Sequence, residues 1–403
     1  MFSKINDIVS NAYLNVPFYG KNFESDKLLV TNYNDLCQIP IISKTDVNES
    51  LISKALNRNG LIKEQTSGSS GKYISIYKTS SERSSLDLLL WKRRRMHYKS
   101  VMAATLIRFK AAIDDIGGSS IPLEHPEKIG NTIFLPTFKI DVEMINEFYN
   151  MISDEKELWI WGPPSLIYLL ALQVHHSFDI KTRKIKLIEL NGEMVFEYQK
   201  RYIEEVFQCP VVNHYGSREF WGIAYECRYH NLHIFEESVF IEILDGYNKP
   251  QLSDKEGELV ITGLLCSAMP FIRYKIGDTG KIVTSNCACG SCNRILELLG
   301  GRTSDYIIGN KGELSSSMVF AHIVSCINQS SIKILQFKVV QIDINDFVVY
   351  LVVTEEMESN NIEQTFFELA ERLIHKEIKI KIRYTNFIKN DANGKFRYFI
   401  PMK

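Results

Sequence analysis

The segment Glu64-Gln65-Thr66-Ser67-Gly68-Ser69-Ser70-Gly71-Lys72 gathers the residue types that hold phosphate. Gly68 and Gly71 can take backbone angles closed to other residues, which lets consecutive N–H groups converge on an anion. Thr66, Ser67, Ser69 and Ser70 add hydroxyl donors. The spacing is not that of a Walker A loop, because only Ser69 and Ser70 separate the glycines and Tyr73 follows Lys72. A Ser/Gly-rich surface linker would have much the same composition, so this segment alone leaves both readings open.

A second cluster suits metal chemistry. Cys287-Ala288-Cys289-Gly290-Ser291-Cys292 is a tight group of thiols, with Glu226-Cys227 and His230-Asn231-Leu232-His233 upstream. Together they offer enough sulfur and imidazole for tetrahedral zinc. The C-x-C spacing is less specific than paired C-x-x-C knuckles, but core packing rarely collects three cysteines so closely. The run Trp91-Lys92-Arg93-Arg94-Arg95-Met96-His97 has two readings, a solvated helix face or a surface for a phosphate-rich ligand.

The elements that must position these groups fit in a chain of 403 residues, enough for a large core and a further domain. A formal charge of -1 and 45% hydrophobic residues give no bias toward nucleic acid or anionic membrane. The start of the chain lacks an uninterrupted apolar signal region, and no stretch approaches the length of a membrane span. The longest apolar run, residues 166–174, reads as a buried helix. Eight cysteines in a chain this size do not suggest a disulfide scaffold, and a reducing, cytoplasmic setting is expected.

From residue 129 the pattern alternates. Residues 129–135, 157–161 and 184–190 read as strands, and 141–152 and 197–207 as helices. Asn191-Gly192-Glu193 and His214-Tyr215-Gly216-Ser217 follow strands, where α/β sheets form ligand crevices. Residues 232–282 read as β-rich. After Gly301-Arg302-Thr303-Ser304-Asp305 the order becomes β-α-β-β-α-β, which is ferredoxin-like. The expected fold class is α/β, with a large domain over residues 1–304 that includes a β-rich subdomain. A small α+β domain over 305–403 completes it.

Five segments in this order resemble adenylate-forming ligases, more narrowly phenylacetate–coenzyme A ligases and the ligase-like proteins of capsule biosynthesis. They are Thr66–Gly71, Tyr215-Gly216-Ser217-Arg218-Glu219, Arg273-Tyr274-Lys275-Ile276-Gly277-Asp278, Gly301–Asp305, and Gly394-Lys395-Phe396-Arg397. The resemblance runs from about Val16 to the C-terminus. It implies that ATP and a small carboxylic acid form an acyl adenylate, with Thr66, Ser67, Gly68, Ser69, Ser70 and Gly71 on the leaving phosphates. It further implies Tyr215 and Gly216 against the adenine, with Asn191, Gly192 and Glu193 lining the nucleotide pocket. Asp278 is expected on the ribose hydroxyls, Arg302 on the ribose and phosphate, and Glu219 on magnesium. Lys395 is expected on the reacting oxygens, and Asp305 as the hinge of a mobile small domain. A structural zinc site is implied at Cys227, His233, Cys287 and Cys289, with Cys292 and His230 as alternative ligands.

Arg218 departs from the family, which usually has Thr or Ser before the magnesium-associated Glu. It could reach the acid or a phosphate, or pair with Glu219. The expected acceptor is coenzyme A, giving a thioester. An amine acceptor giving an amide, or a noncatalytic nucleotide-binding assembly protein, are the alternatives. Phe220 and Trp221, with residues 159–164, are candidates for an aromatic wall or for core. Family members often dimerise, but this sequence demonstrates no interface.

Overall fold

A computed structural model describes the protein except for residues 23–28, 66–73, 111, 115–119, 138–139, 178–183, 252, 303–305, 310–313, 329–332, 355–358, 375, 390–395 and 403. The chain forms two compact units, each discontinuous in sequence: Met1–Lys99 with His214–Leu299, and Ser100–Asn213 with Gly300–Lys403. Among the described residues no helix is long and apolar enough to cross a membrane.

In the first unit, Val239–Leu244, Gly257–Gly263 and Tyr274–Val283 form successive antiparallel strands, as the β-rich composition predicts. Both faces of this pair are covered: Ile241 faces Ile261 and Ile243 faces Leu259 in register on one side, and Glu242, Val260 and Thr262 on the other are buried as well. Helix Ser80–His97 starts at a capping box, with Glu82 N–H donating to Thr79 Oγ1 and Thr79 N–H to Glu82 Oε2. The other Glu82 oxygen accepts from Ser267 N–H, Ser267 Oγ and Ala268 N–H at 2.6, 2.9 and 3.0 Å. One buried carboxylate thus satisfies a helix end and pins a distant turn. The basic run on this helix is less solvated than expected. Arg94 is buried with its guanidinium over Trp91, and Arg93 pairs with Glu237 while lying over Phe235.

In the second unit, parallel strands Ile185–Asn191, Leu158–Gly162, Thr105–Lys110 and Thr132–Pro136 lie in that order. Their register lines up Ile188, Ile160, Ile107 and Ile133 across the sheet. All four are fully buried, in one core with helix Pro164–Ser177. That helix covers the apolar run read as a buried helix. Residues 129–135, expected as one strand, are instead divided: Glu127–Ile129 turns back on Thr132–Pro136 as an antiparallel hairpin. Gly130, at φ 58, supplies the turn.

The small α+β module also lies in this unit. Its sheet runs Lys379–Tyr384, Asp346–Val353, Ile334–Gln341, Phe399–Ile400, with helices Met318–Ile327 and Ser359–Leu373. Its strand order differs from the ferredoxin-like expectation. Tyr306–Ile308 pairs with Leu314–Ser316 as a separate hairpin, and Phe399–Ile400 takes the place beside Ile334–Gln341. A side chain holds the hairpin: Gln341 Nε2 donates to Ile308 O at 2.7 Å, and Ile308 N–H donates to Gln341 Oε1 at 3.1 Å. Gln341 thereby supplies both hydrogen bonds that a ladder neighbour would give this short strand.

Candidate functional site

In the first unit, Tyr215 ends strand Val211–Tyr215 and its hydroxyl donates to Asp278 Oδ2 at 2.7 Å. Asp278 owes its position to a bulge. Glu258 pairs with Thr279 and Val260 with Lys275, so Ile276, Gly277 and Asp278 stand opposite Leu259 alone. Gly277, at φ 88, makes that backbone path accessible. Two residues read 63 positions apart in sequence are thus brought together as a phenol and a carboxylate.

The turn after Tyr215 is tight. A Cβ on Gly216 would lie 2.0 Å from Trp221 O, so only glycine fits, for packing reasons internal to the turn. Glu219 is buried and its Oε1 accepts from Tyr274 OH at 3.3 Å. A buried carboxylate with a neutral donor retains lone pairs for a hard cation, so the residue fits the magnesium role. Arg218 is exposed, and among the described residues its side chain forms no ion pair with Glu219. Its carbonyl accepts from Lys78 Nζ at 2.6 Å.

Lys78 was not singled out from the sequence. Its side chain is 1% exposed and also donates to Glu64 Oε2 at 3.3 Å. Glu64 pairs in addition with Arg83, whose guanidinium lies 3.5 Å from the centroid of the Trp221 ring. Strands Ile62–Gln65 and Ser75–Lys78 are antiparallel, with Gln65 opposite Ser75. This network therefore ties the strands flanking the expected phosphate loop to the turn carrying Glu219. The alternation Ile74-Ser75-Ile76-Tyr77-Lys78 was the available signal, because it places Lys78 on the inward side with two isoleucines. Thr66–Gly71 themselves, with Asp305 and Lys395, lie outside the described residues, as does the side chain of Arg302.

Of the aromatic-wall candidates, Trp159 is core, and Phe220 is buried against Phe271 and Tyr274. Trp161 carries the guanidinium of Arg108 at 4.2 Å, in the second unit. There, Asn191 ends its strand, Gly192 takes φ 81, and Glu193 accepts two backbone hydrogen bonds. The donors are Ser165 N–H at 3.3 Å and Phe396 N–H at 2.6 Å.

The thiol cluster assembles as expected. Cys227 Sγ, His233, Cys287 Sγ and Cys289 Sγ offer ligand atoms all within 4.8 Å of one another. Cys227 and Cys287 sulfurs are 3.7 Å apart, against the edge of about 3.8 Å that follows from a tetrahedron with Zn–S of about 2.3 Å. Cys289 Sγ is 3.2 Å from His233 Nε2. His233 Nδ1 lies 2.8 Å from Asn293 O; a carbonyl only accepts, so Nδ1 carries the proton and Nε2 presents its lone pair. Sulfur charge has donors ready: Tyr229 N–H to Cys227, Cys289 N–H and Asn231 Nδ2 to Cys287, and Ser291 N–H to Cys289. Burial opposes ionisation of Cys287, but the Cys289 N–H, the Cys289 thiol and Asn231 Nδ2 beside it outweigh that and hold its thiol down to about 6. Burial pushes Cys227 up to about 11, a cost that a bound cation would reverse. The donor set fits zinc. Of the alternative ligands, Cys292 is exposed outside the cluster and His230 Nδ1 is engaged with Glu226 Oε1.

Comparison with known proteins finds relatives along most of the chain. A family model described as the CapK C-terminal domain matches residues 307–401. Protein CapK of Staphylococcus aureus is 24% identical over 410 aligned positions, covering 96% of this chain and 85% of that protein. A phenylacetate-coenzyme A ligase of Aromatoleum evansii is 25% identical, covering 74% of this chain and 69% of the relative. The fold matches the crystal structure of a 2-hydroxyisobutyryl-CoA ligase in the postadenylation state with TM-score 0.76 and 15% identity, covering 99% and 88% of the two chains. Along most of its length the chain is thus similar to protein CapK and to phenylacetate–coenzyme A ligases, and its C-terminal part matches the CapK C-terminal domain.

Proposed function

We propose that this protein is an ATP-dependent ligase that adenylates a small carboxylic acid and transfers the acyl group to coenzyme A as a thioester. The carrying observation is the pairing of Tyr215 with Asp278 on a bulged strand, next in sequence to the buried Glu219–Tyr274 pair. In this reading Tyr215 lies against adenine, while Asp278 accepts from the ribose hydroxyls. Asn191, Gly192 and Arg302 complete the nucleotide contacts, and Thr66–Gly71 hold the leaving phosphates. Glu219 would hold magnesium, which when bound neutralises phosphate charge.

In-line attack of the acid on the α-phosphorus gathers negative charge on nonbridging oxygens. A positioned ammonium, Lys395, stabilises that charge more in the transition state than in the ground state. Residues 305–403 move as the small domain about Asp305, so that one site serves adenylation and then transfer. Cys227, His233, Cys287 and Cys289 hold a structural zinc, whose four protein ligands leave no coordination position for substrate. Thiolate ligands of this kind suit a reducing, cytoplasmic setting.

The test is acid-dependent pyrophosphate release, with ATP and magnesium, across aryl, short aliphatic and amino acids. Release with one acid, falling by about 100-fold or more in Lys395→Ala, supports the reading. Coenzyme A and amines are then compared as acceptors by AMP release. Absence of release from folded, metal-replete protein across the panel would sink it.

A further inference from the structure

Glu193 stands in the nucleotide-lining segment by resemblance, yet its carboxylate is committed elsewhere. One oxygen accepts from Phe396 N–H at 2.6 Å, across 203 residues of chain, and the other from Ser165 N–H at 3.3 Å. Ser165 lies in the first turn of helix Pro164–Ser177, where backbone N–H groups lack intrahelical acceptors and the helix dipole favours a negative charge. Phe396 is the residue immediately after Lys395.

The surroundings hold this contact in place. Phe196, three residues beyond Glu193, packs against Phe337 and Tyr398 of the small module with ring centroids 5.8 and 5.4 Å apart. Phe396 and Phe337 line a small cavity with Ser165, Tyr168, Tyr198 and Gln199. Among the described residues, Ser165 Oγ and Tyr168 OH are buried there without a hydrogen-bond partner. Apolar contact supplies attraction here but little directional restraint. The Glu193 carboxylate is directional: a 2.6 Å charge-assisted bond sets one backbone atom of the small module against a rigid helix end.

We propose that Glu193 is a positioning residue, which fixes the backbone after Lys395 and so sets where the lysine ammonium is delivered during adenylation. The proposal rests on the ligase reading above. A misplacement of about 1 Å at a reacting centre costs about 100-fold in rate, which is the scale at which such a clamp acts. Removing it should lower the adenylation rate without weakening nucleotide binding. Transfer from an already formed adenylate should be spared.

The experiment uses the full chain and separates the half-reactions. Glu193→Ala should lower kcat for acid-dependent pyrophosphate release at least about tenfold, with KM for ATP within about threefold. Consumption of supplied acyl adenylate by coenzyme A should change by less than about threefold. Glu193→Gln keeps an acceptor oxygen and the shape of the side chain, so it should recover most of the rate. Phe396→Pro deletes the N–H and should reproduce the loss, and combining it with Glu193→Ala should add little. A rise in KM for ATP alone, or equal loss in both half-reactions, would overturn the assignment. Amide hydrogen exchange at Phe396 decides the contact independently of activity. Exchange in Glu193→Ala unchanged from wild type refutes the clamp; faster exchange in the alanine variant, with Glu193→Gln close to wild type, supports it. Wild-type protein that releases no pyrophosphate would instead refute the ligase reading, leaving the exchange result to stand by itself.

Discussion

The two units hold their chemistry by different means. In the first, the functional carboxylates and thiols are fixed by buried polar networks: Lys78 with Glu64 and the Arg218 carbonyl, Tyr215 with Asp278, Tyr274 with Glu219, and the N–H donors around three cysteines. In the second, a row of isoleucines under an apolar helix provides the frame, and the polar contact bridging to the small module is a carboxylate in a loop. A polar network is directional, and losing one partner strands another. An apolar row loses stability with each methylene removed, but no charge is left uncompensated. Substitutions in the polar networks of the first unit should therefore act on function and stability together, and substitutions in the apolar row of the second chiefly on stability.

The largest expected effect is on the thiol cluster. Cys289→Ser, or removal of metal by a strong chelator, should take zinc content from about one per chain to near zero by elemental analysis. Thermal unfolding should fall by more than about 5 °C, since structural zinc binding is coupled to folding. Full retention of stability after zinc loss would break the proposed contrast between the units. Next, Lys78→Met removes the buried ammonium while Arg83 stays on Glu64. Denaturant unfolding should show a loss of about 3 kcal/mol, the low end for breaking a buried pair, and pyrophosphate release should fall with it.

A smaller, more selective change is Tyr215→Phe. Losing a hydrogen bond to a charged acceptor is worth about 1.5 kcal/mol, so KM for ATP should rise about tenfold with kcat little changed. An equal loss in kcat would show that the hydroxyl acts in the transition state and sharpen its role. The smallest effect belongs to the apolar row. Ile160→Val should cost about 1 kcal/mol in denaturant unfolding, with both half-reactions unaltered. A kinetic defect there would show that the sheet does more than support.

Legibility in the sequence followed the range of the forces involved. The apolar run 166–174 announced a buried helix because so many apolar side chains must leave water together. Thiol spacing announced a metal site because the sulfurs of a C-x-C pair such as Cys287 and Cys289 sit close whatever the global fold. Lys78 is legible only in the alternation of its strand, which puts it inward with Ile74 and Ile76. The turn at Gly130 was hidden in an apolar stretch, where composition favours one strand and a single positive φ decides for two. The order of strands in the small module was not legible: Gln341 bonds to Ile308 across 33 residues, and nothing local marks that glutamine as a stand-in for a strand.

Composition, periodicity and motif order by themselves determined the α/β class, the small α+β module, a thiol cluster of metal-binding type and the resemblance to adenylate-forming ligases. All of these rest on short-range regularities or on residue types that chemistry restricts. Tertiary structure alone decided that Asp278 meets Tyr215, that Cys292 and His230 stand outside the thiol cluster, and that Glu193 meets Phe396. These are choices among polar partners of similar intrinsic strength. Which partner wins depends on where bulges, helix ends and apolar cores bring the backbone, and that geometry is written in no single segment.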